Sequence, residues 1–303
     1  METIRLDMIG PGGRRIAVWR SQVRGAGPGP AAVLCPGFGR QMTDLVTAAM
    51  YLAVNGVTVY RLDPLDHVGL SDGSILDYTP SATADSLAAV LNLVHGLERG
   101  RQVVLVAASM AARPAIRVGL AGGIDRLVTV VGVVNMERTI GSVFGEEILR
   151  LDRDDLPPSV WFEHLEIRPQ RFFDDRAGWW ELDGATAELA ALRVPAVAIH
   201  ADGDPWVDAE DVRRCYRLSP HAPRRIVEIH SNAHDLGQDP AAGLIALEEI
   251  TKAVLAVPAL PRTPTLDQIT SAITEERSFH RIQVEREAEL AEADDVAAVA
   301  VPA

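Results

Sequence analysis

The chain has 303 residues, 48% of them apolar and 23% charged, a balance that supports a sizeable core and excludes wholesale disorder. Its 29 basic against 42 acidic residues give a net charge of −13, which excludes nucleic acid as a partner because phosphate binding draws on a basic surface. The start, METIRLDMIG, lacks a basic segment followed by an apolar run, and no stretch approaches the roughly 20 apolar residues of a membrane span, so a cytoplasmic protein with no membrane span is expected.

In chain order, residues 4–8 and 15–20 read as the strands of a hairpin turned at Gly10-Pro11-Gly12-Gly13, and a Gly/Pro loop over 25–30 leads on. From there short Val/Ile/Leu-rich runs alternate with helical patterns. Runs at 31–35, 57–62, 102–107, 126–131, 194–200 and 225–230 predict strands; 42–54, 82–97, 110–120, 209–218 and 240–257 predict helices. The alternation predicts an α/β fold, with a mostly parallel central sheet and helices on both faces. Over about 134–192 it stops, in a segment of acids, arginines and aromatics including Trp161, Phe162, Phe172, Phe173, Trp179 and Trp180, which predicts an inserted helical cap. Pro258, Pro261 and Pro264 then break any continuing helix. One α/β domain is expected over 1–257, followed over 258–303 by a proline-rich linker and an acidic helical tail, partly disordered. The tail helix is expected over 265–295, with Arg281 one turn from Glu285. A solvated helix lying loosely on the domain is the expectation, and docking to a protein partner or a second copy is the alternative.

Residues 103–113, Val-Val-Leu-Val-Ala-Ala-Ser-Met-Ala-Ala-Arg, drive a strand straight into a helix with Ser109 at the junction. That is the setting of a nucleophile elbow, where small residues two places either side of the serine relieve a tight turn; here both are alanine, Ala107 and Ala111. A serine capping the following helix is the competing reading. Chain order adds an acid and a base. Asp202 and Asp204 follow the 194–200 strand, Asp204 lying further past its end behind Gly203, and His234 sits on the loop after the 225–230 strand. Asp204 is preferred, with Asp202 in reserve. His200 and His230 end strands and His221 lies in a Pro-flanked turn, so these read as structural or surface residues.

A serine hydroxyl becomes a nucleophile when an imidazole takes its proton and a carboxylate orients that imidazole, which makes Ser109, Asp204 and His234 the candidate catalytic set. The tetrahedral intermediate also needs N–H donors: Met110, next after the serine, and Phe38 in the glycine-rich run Cys35-Pro36-Gly37-Phe38-Gly39-Arg40. That run has no Gly-Lys-Ser/Thr ending, which argues against a nucleotide phosphate cradle. Cys35 and Cys215 have neither disulfide nor metal spacing and read as buried thiols; no metal and no organic cofactor is expected.

Six segments in order, 36–42, 66–73, 107–113, 131–135, 204–207 and 234–236, resemble the acyltransferase subunit of the bacterial luminescence fatty acid reductase, a fatty acyl-carrier-protein thioesterase of the α/β-hydrolase fold. The resemblance covers residues 4–257. It implies the α/β-hydrolase fold, Ser109 as nucleophile, Asp204 as acid and His234 as base. It further implies release of a fatty or polyketide acyl chain from an acyl carrier protein or coenzyme A thioester through an acyl-serine. That family also carries alanine two places before its serine, in keeping with Ala107. Ala111, where the family has serine, and the tail beyond Pro258, with no recognised counterpart, are departures. The 66–73 segment is expected as a loop near the mouth with His67 structural, the cap aromatics as walls of an acyl tunnel or as the cap's own core packing, and Arg40 and Arg113 as carrier-docking groups or ordinary surface ion pairs. A carboxylesterase acting on small oxygen esters and a non-catalytic partner-binding homologue are the competing functions.

Overall fold

A hairpin opens the chain: β1 (Glu2–Ile9) and β2 (Arg15–Gln22) pair antiparallel, with Ile4 opposite Arg20. β3 (Ala31–Cys35) lies parallel to β4 (Thr58–Leu62), and β4 pairs antiparallel with β2. β5 (Val103–Ala108) and β6 (Arg126–Val130) extend the sheet in parallel. A separate small sheet, β7 (Val160–Phe162) with β8 (Leu165–Ile167), comes next in the chain; β9 (Ala196–Ala201) and β10 (Arg224–Ile229) then complete the main one in the order β1-β2-β4-β3-β5-β6-β9-β10. The computed structural model describes residues 1–299 apart from 26, 28 and 218, with residues 7, 283 and 286–299 described by backbone alone. Parts of the expected 25–30 loop, the last residue of the expected 209–218 helix and the final Ala/Val/Pro residues from 300 on therefore lie outside the described residues.

Side-chain alternation assigns the two faces. In β3, Ala32 and Leu34 enter one apolar cluster while Ala31, Val33 and Cys35 enter the other, and in β5 Val104 and Val106 oppose Val103, Leu105 and Ala107, as the two-residue period of a strand requires. Both strands are buried on both sides, which is why they read as continuous apolar runs. Each expected strand is present, its ends displaced by at most a residue or two. The expected 42–54 helix is a 3₁₀ turn, Met42–Leu45, leading into α1 (Val46–Ala53). α2 (Pro80–Leu97) starts before the expected 82, because Thr79 accepts the Ala82 N–H as N-cap and Pro80 fits the first turn. α3 (Ala112–Leu120) follows β5 and packs with α2 on one face.

Between β6 and β9 the chain leaves the sheet through α4 (Met136–Phe144), the β7–β8 hairpin, α5 (Pro169–Asp174) and α6 (Leu182–Ala191). The expected helical cap is present and carries in addition that hairpin, whose short strands flank Glu163 at φ +53. α7 (Ala209–Arg217) joins the α2–α3 face, and α8 (Pro240–Leu255) joins α1 on the other. Asp239 caps α8 by accepting the Ala241 and Ala242 N–H groups.

α9 (Leu266–Val299) forms a further layer outside α1. Ile269, Ala272 and Ile273 pack on Val46, Met50 and Val54, and Phe279 meets the Trp19 ring at 4.9 Å. The Arg61 guanidinium, wholly buried in β4, donates to both oxygens of Glu276 at 2.8 and 2.5 Å. The first half of the tail helix is therefore a packed element with a buried ion pair, unlike the loosely solvated helix expected from its charge.

Candidate active site

Ser109 sits where β5 ends, at φ +48, a left-handed conformation that is strained for a residue with a side chain. A 3₁₀ turn, Ser109–Ala111, carries the chain into α3, and the Ser109 carbonyl accepts the Val133 N–H at 3.0 Å from the loop after β6. The crowding expected around this turn is present. A Cβ on Gly37 would lie 2.8 Å from the Ser109 Cβ, and one on Gly132 would lie 2.8 Å from that of Ala112. Ala107 and Ala111 are both buried beside it. Ala108, the residue at the N-cap place, makes no side-chain cap, and the Ser109 hydroxyl is directed elsewhere, so the helix-capping reading does not hold.

That hydroxyl lies 2.7 Å from His234 Nε2, and His234 Nδ1 lies 2.7 Å from Asp204 Oδ2. The Asp204 side chain is wholly buried, and its other oxygen accepts the Trp206 and Val207 N–H groups at 2.8 and 3.0 Å. Two backbone donors and an imidazole thus hold the carboxylate in place. The Trp206 ring lies against that of His234, centroids 4.7 Å apart. Asp202, the reserve acid, is engaged at the surface: it accepts from His230 Nδ1 at 2.9 Å, which holds its own pKa down and the His230 pKa up. His200 is buried in β9 with its pKa lowered by desolvation. The structure therefore brings Ser109, His234 and Asp204 together and leaves Asp202, the reserve acid, apart with His230.

The Gly37–Arg40 loop lies over the serine. Among the described residues no backbone carbonyl takes up the N–H of Phe38 or of Met110, and the N-terminal end of the turn leading into α3 adds a partial positive charge beside Ser109. A cavity of about 1020 Å³ opens here, touching Ser109, His234, Phe38 and Met110. Tyr78, Ile140, Phe144, Phe162 and Phe172 line it, so two of the six cap aromatics wall the space as expected. Trp161 instead faces solvent, Trp179 and Trp180 are buried in the cap, and Phe173 packs on Trp180. α9 contributes Ile269, a lining residue that the sequence reading missed.

Arg40 stands at the mouth, 3.3 Å from Asp235 and 3.8 Å from Glu163. Arg113, expected as its docking companion, is wholly buried and paired with Glu188, which removes it from any surface role. Among the described residues no group of three His, Cys, Asp or Glu side chains could hold a metal ion, and no helix is long and apolar enough to cross a membrane.

An acyl transferase of Vibrio campbellii is 32% identical over 281 residues, covering 88% of this chain and 90% of that protein. Est1E of Butyrivibrio proteoclasticus, solved with ferulic acid bound, superposes with a TM-score of 0.67 at 16% identity, covering 83% of this chain and 98% of that one. The α/β hydrolase GrgF from Penicillium gives 0.62 at 15% identity, over 84% and 100% of the two chains. The fold is that of the α/β hydrolases. The model of the acyl transferase family matches residues 7–284, running past Val257 into α9, so the tail up to residue 284 has a family counterpart. On that match the chain belongs to the acyl transferase family.

Proposed function

We propose that this chain is a serine-dependent acyl thioesterase or acyltransferase that takes a fatty or polyketide acyl chain from an acyl carrier protein or coenzyme A thioester. Ser109 Oγ attacks the thioester carbon while its proton passes to His234 Nε2, and Asp204 orients the ring and stabilises the imidazolium. The N–H groups of Phe38 and Met110 receive the developing oxyanion, each worth roughly 3 kcal/mol. The carbon–sulfur bond then breaks, the thiol leaves with the proton from His234, and the acyl group remains on Ser109. Water or another acceptor, deprotonated by the same ring, releases it. The observation that carries this reading is the Ser109–His234–Asp204 relay, 2.7 Å at each step, opening on an apolar cavity wide enough for a chain. Membership of the acyl transferase family supports it. Arg40 at the mouth remains the candidate contact for a carrier, and the half-exposed Ile282 and Val284 on α9 keep a protein partner or second copy at that helix within the reading.

Intact-protein mass measured after brief exposure to acyl thioesters of graded length tests the reading. The expected result is an acyl adduct on Ser109 that is absent in Ser109→Ala. An adduct formed only from a short oxygen ester would make the protein a carboxylesterase. No adduct at all, with Ser109 inert to a fluorophosphonate, would leave a non-catalytic binding protein.

A further inference from the structure

Behind the Gly37–Arg40 loop lies a second loop, residues 65–73, that no step above uses. His67 on this loop is 5% exposed, and its Nε2 accepts the Gly39 N–H at 3.2 Å. An amide can only donate, so this nitrogen carries no proton; the ring hydrogen resides on Nδ1, 3.4 Å from the Val68 carbonyl. The imidazole also meets the ring of Phe38 edge-on at 5.8 Å and that of Tyr78 at 5.6 Å. Gly39 holds φ +73, and Gly37 on the far side of Phe38 stands against the Ser109 Cβ. The short loop is thus pressed between the serine in front and His67 behind. Its exit is tied to the same second loop: Asp63 accepts the Met42 N–H at 2.7 Å and the Leu70 N–H at 2.9 Å. Burial keeps His67 neutral, its pKa lowered to about 4, so the acceptor lone pair persists at neutral pH.

We propose that His67 is a positioning residue for the oxyanion site: by accepting the Gly39 N–H it fixes the peptide that follows Phe38 and aims the Phe38 N–H at the carbonyl oxygen of the group on Ser109. This rests on the role given above to Ser109 and Phe38.

The test uses the full chain and a fluorophosphonate, whose phosphoryl oxygen takes the same donors when Ser109 displaces fluoride and its proton passes to His234. In His67→Phe, which keeps a ring and loses the acceptor, the phosphonylation rate falls about 100-fold, the scale expected for a misplacement of about 1 Å. KM for an acyl thioester stays at the wild-type value, and His67→Gln, whose carbonyl oxygen reaches the place of Nε2, recovers most of the rate. A His67→Phe protein that reacts as fast as the wild type, or a loss that His67→Gln does not restore, overturns the proposal. Should the phenylalanine variant not fold, ¹⁵N NMR of the wild type decides: a proton on Nδ1 with coupling across the Gly39 N–H to Nε2 is expected, and a proton on Nε2 overturns it. A wild-type protein inert to the probe sinks the serine reading itself, whereas a reactive wild type with an indifferent variant sinks only the role of His67.

Discussion

At Gly37 a single methyl group decides whether Ser109 can hold its place. The added Cβ would stand 2.8 Å from the Ser109 Cβ, and neither partner is the free end of a flexible chain. Gly37→Ala is therefore expected to lower the rate of Ser109 acylation by about 100-fold or more while leaving the thermal midpoint within a few degrees; an unchanged rate would mean the loop yields. The strand–turn–helix pattern singled out Ser109, and chain order Asp204 and His234, the three side chains that the fold brings within hydrogen-bond reach of one another. Gly37 stood out as part of a glycine-rich loop, but its closeness to Ser109 was not legible, because that contact joins residues far apart in sequence. The choice between Asp202 and Asp204 stayed open for a related reason: both lie on one loop, and what separates them is the burial of Asp204 against two backbone donors.

Two buried groups beside this site also give opposite pH dependences. His67, lowered to about 4 from 6.5, rejects in the folded state a proton that the unfolded chain accepts, so its contribution is present above pH 6.5 and is lost as pH falls towards 4. Asp63, raised to about 6 from 3.8 mainly by desolvation, holds its proton longer when folded, so its contribution is present below 3.8 and is lost as pH rises through 6. Each spans about 3 kcal/mol at roughly 1.4 kcal/mol per unit, and over pH 4–6 they largely cancel. Relative to the wild type, His67→Phe should gain about 3 kcal/mol between pH 6.5 and 4, read from urea midpoints at the two pH values. A difference between the proteins that does not change with pH would show that His67 titrates normally.

On the scale of elements, α9 shows what the charge pattern reveals and what it hides. The proline cluster and the acidic helical pattern placed a helix here, but its abundance of acids suggested solvent, and Glu276 looks no different from its neighbour Glu275 in sequence. The missed signal was Arg61, a charge within the apolar run of β4, a strand buried on both faces. Such a guanidinium needs a partner, and the partner lies 215 residues onward. Glu276→Ala leaves Arg61 buried and unpaired, a loss of about 3–5 kcal/mol. Arg61→Met combined with Glu276→Leu should cost less than that single change, since neither member then leaves a buried charge behind. Chemical denaturation of the three proteins measures this, and a Glu276→Ala protein destabilised by under about 1 kcal/mol would mean that water reaches the guanidinium.

For the whole molecule, two arginines on the helix after β5 help to tie the cap to the rest of the fold. Arg113 and Arg117 of α3 both bind Glu188 of α6, and the Arg117 guanidinium lies 3.7 Å from the centre of the Trp179 ring. The cap was expected where the alternation of strand and helix stops, and the chain leaves the main sheet between β6 and β9. Which of its aromatics would face the cavity was not, since this depends on how the hairpin and α4 pack over the sheet, and periodicity does not carry that information. Ile140 of α4 is buried and lines the cavity, so its size should limit the length of chain admitted. Ile140→Trp is expected to leave the acylation rate with short acyl thioesters near the wild-type value and to depress it progressively for longer ones. Each methylene denied burial forfeits about 0.8 kcal/mol, about fourfold in rate constant. The measurement is the rate of adduct formation on Ser109 across a homologous series in both proteins. A uniform loss at every length would place Ile140 in the support of the cap, whereas a loss that steepens beyond one length would place the acyl chain against α4.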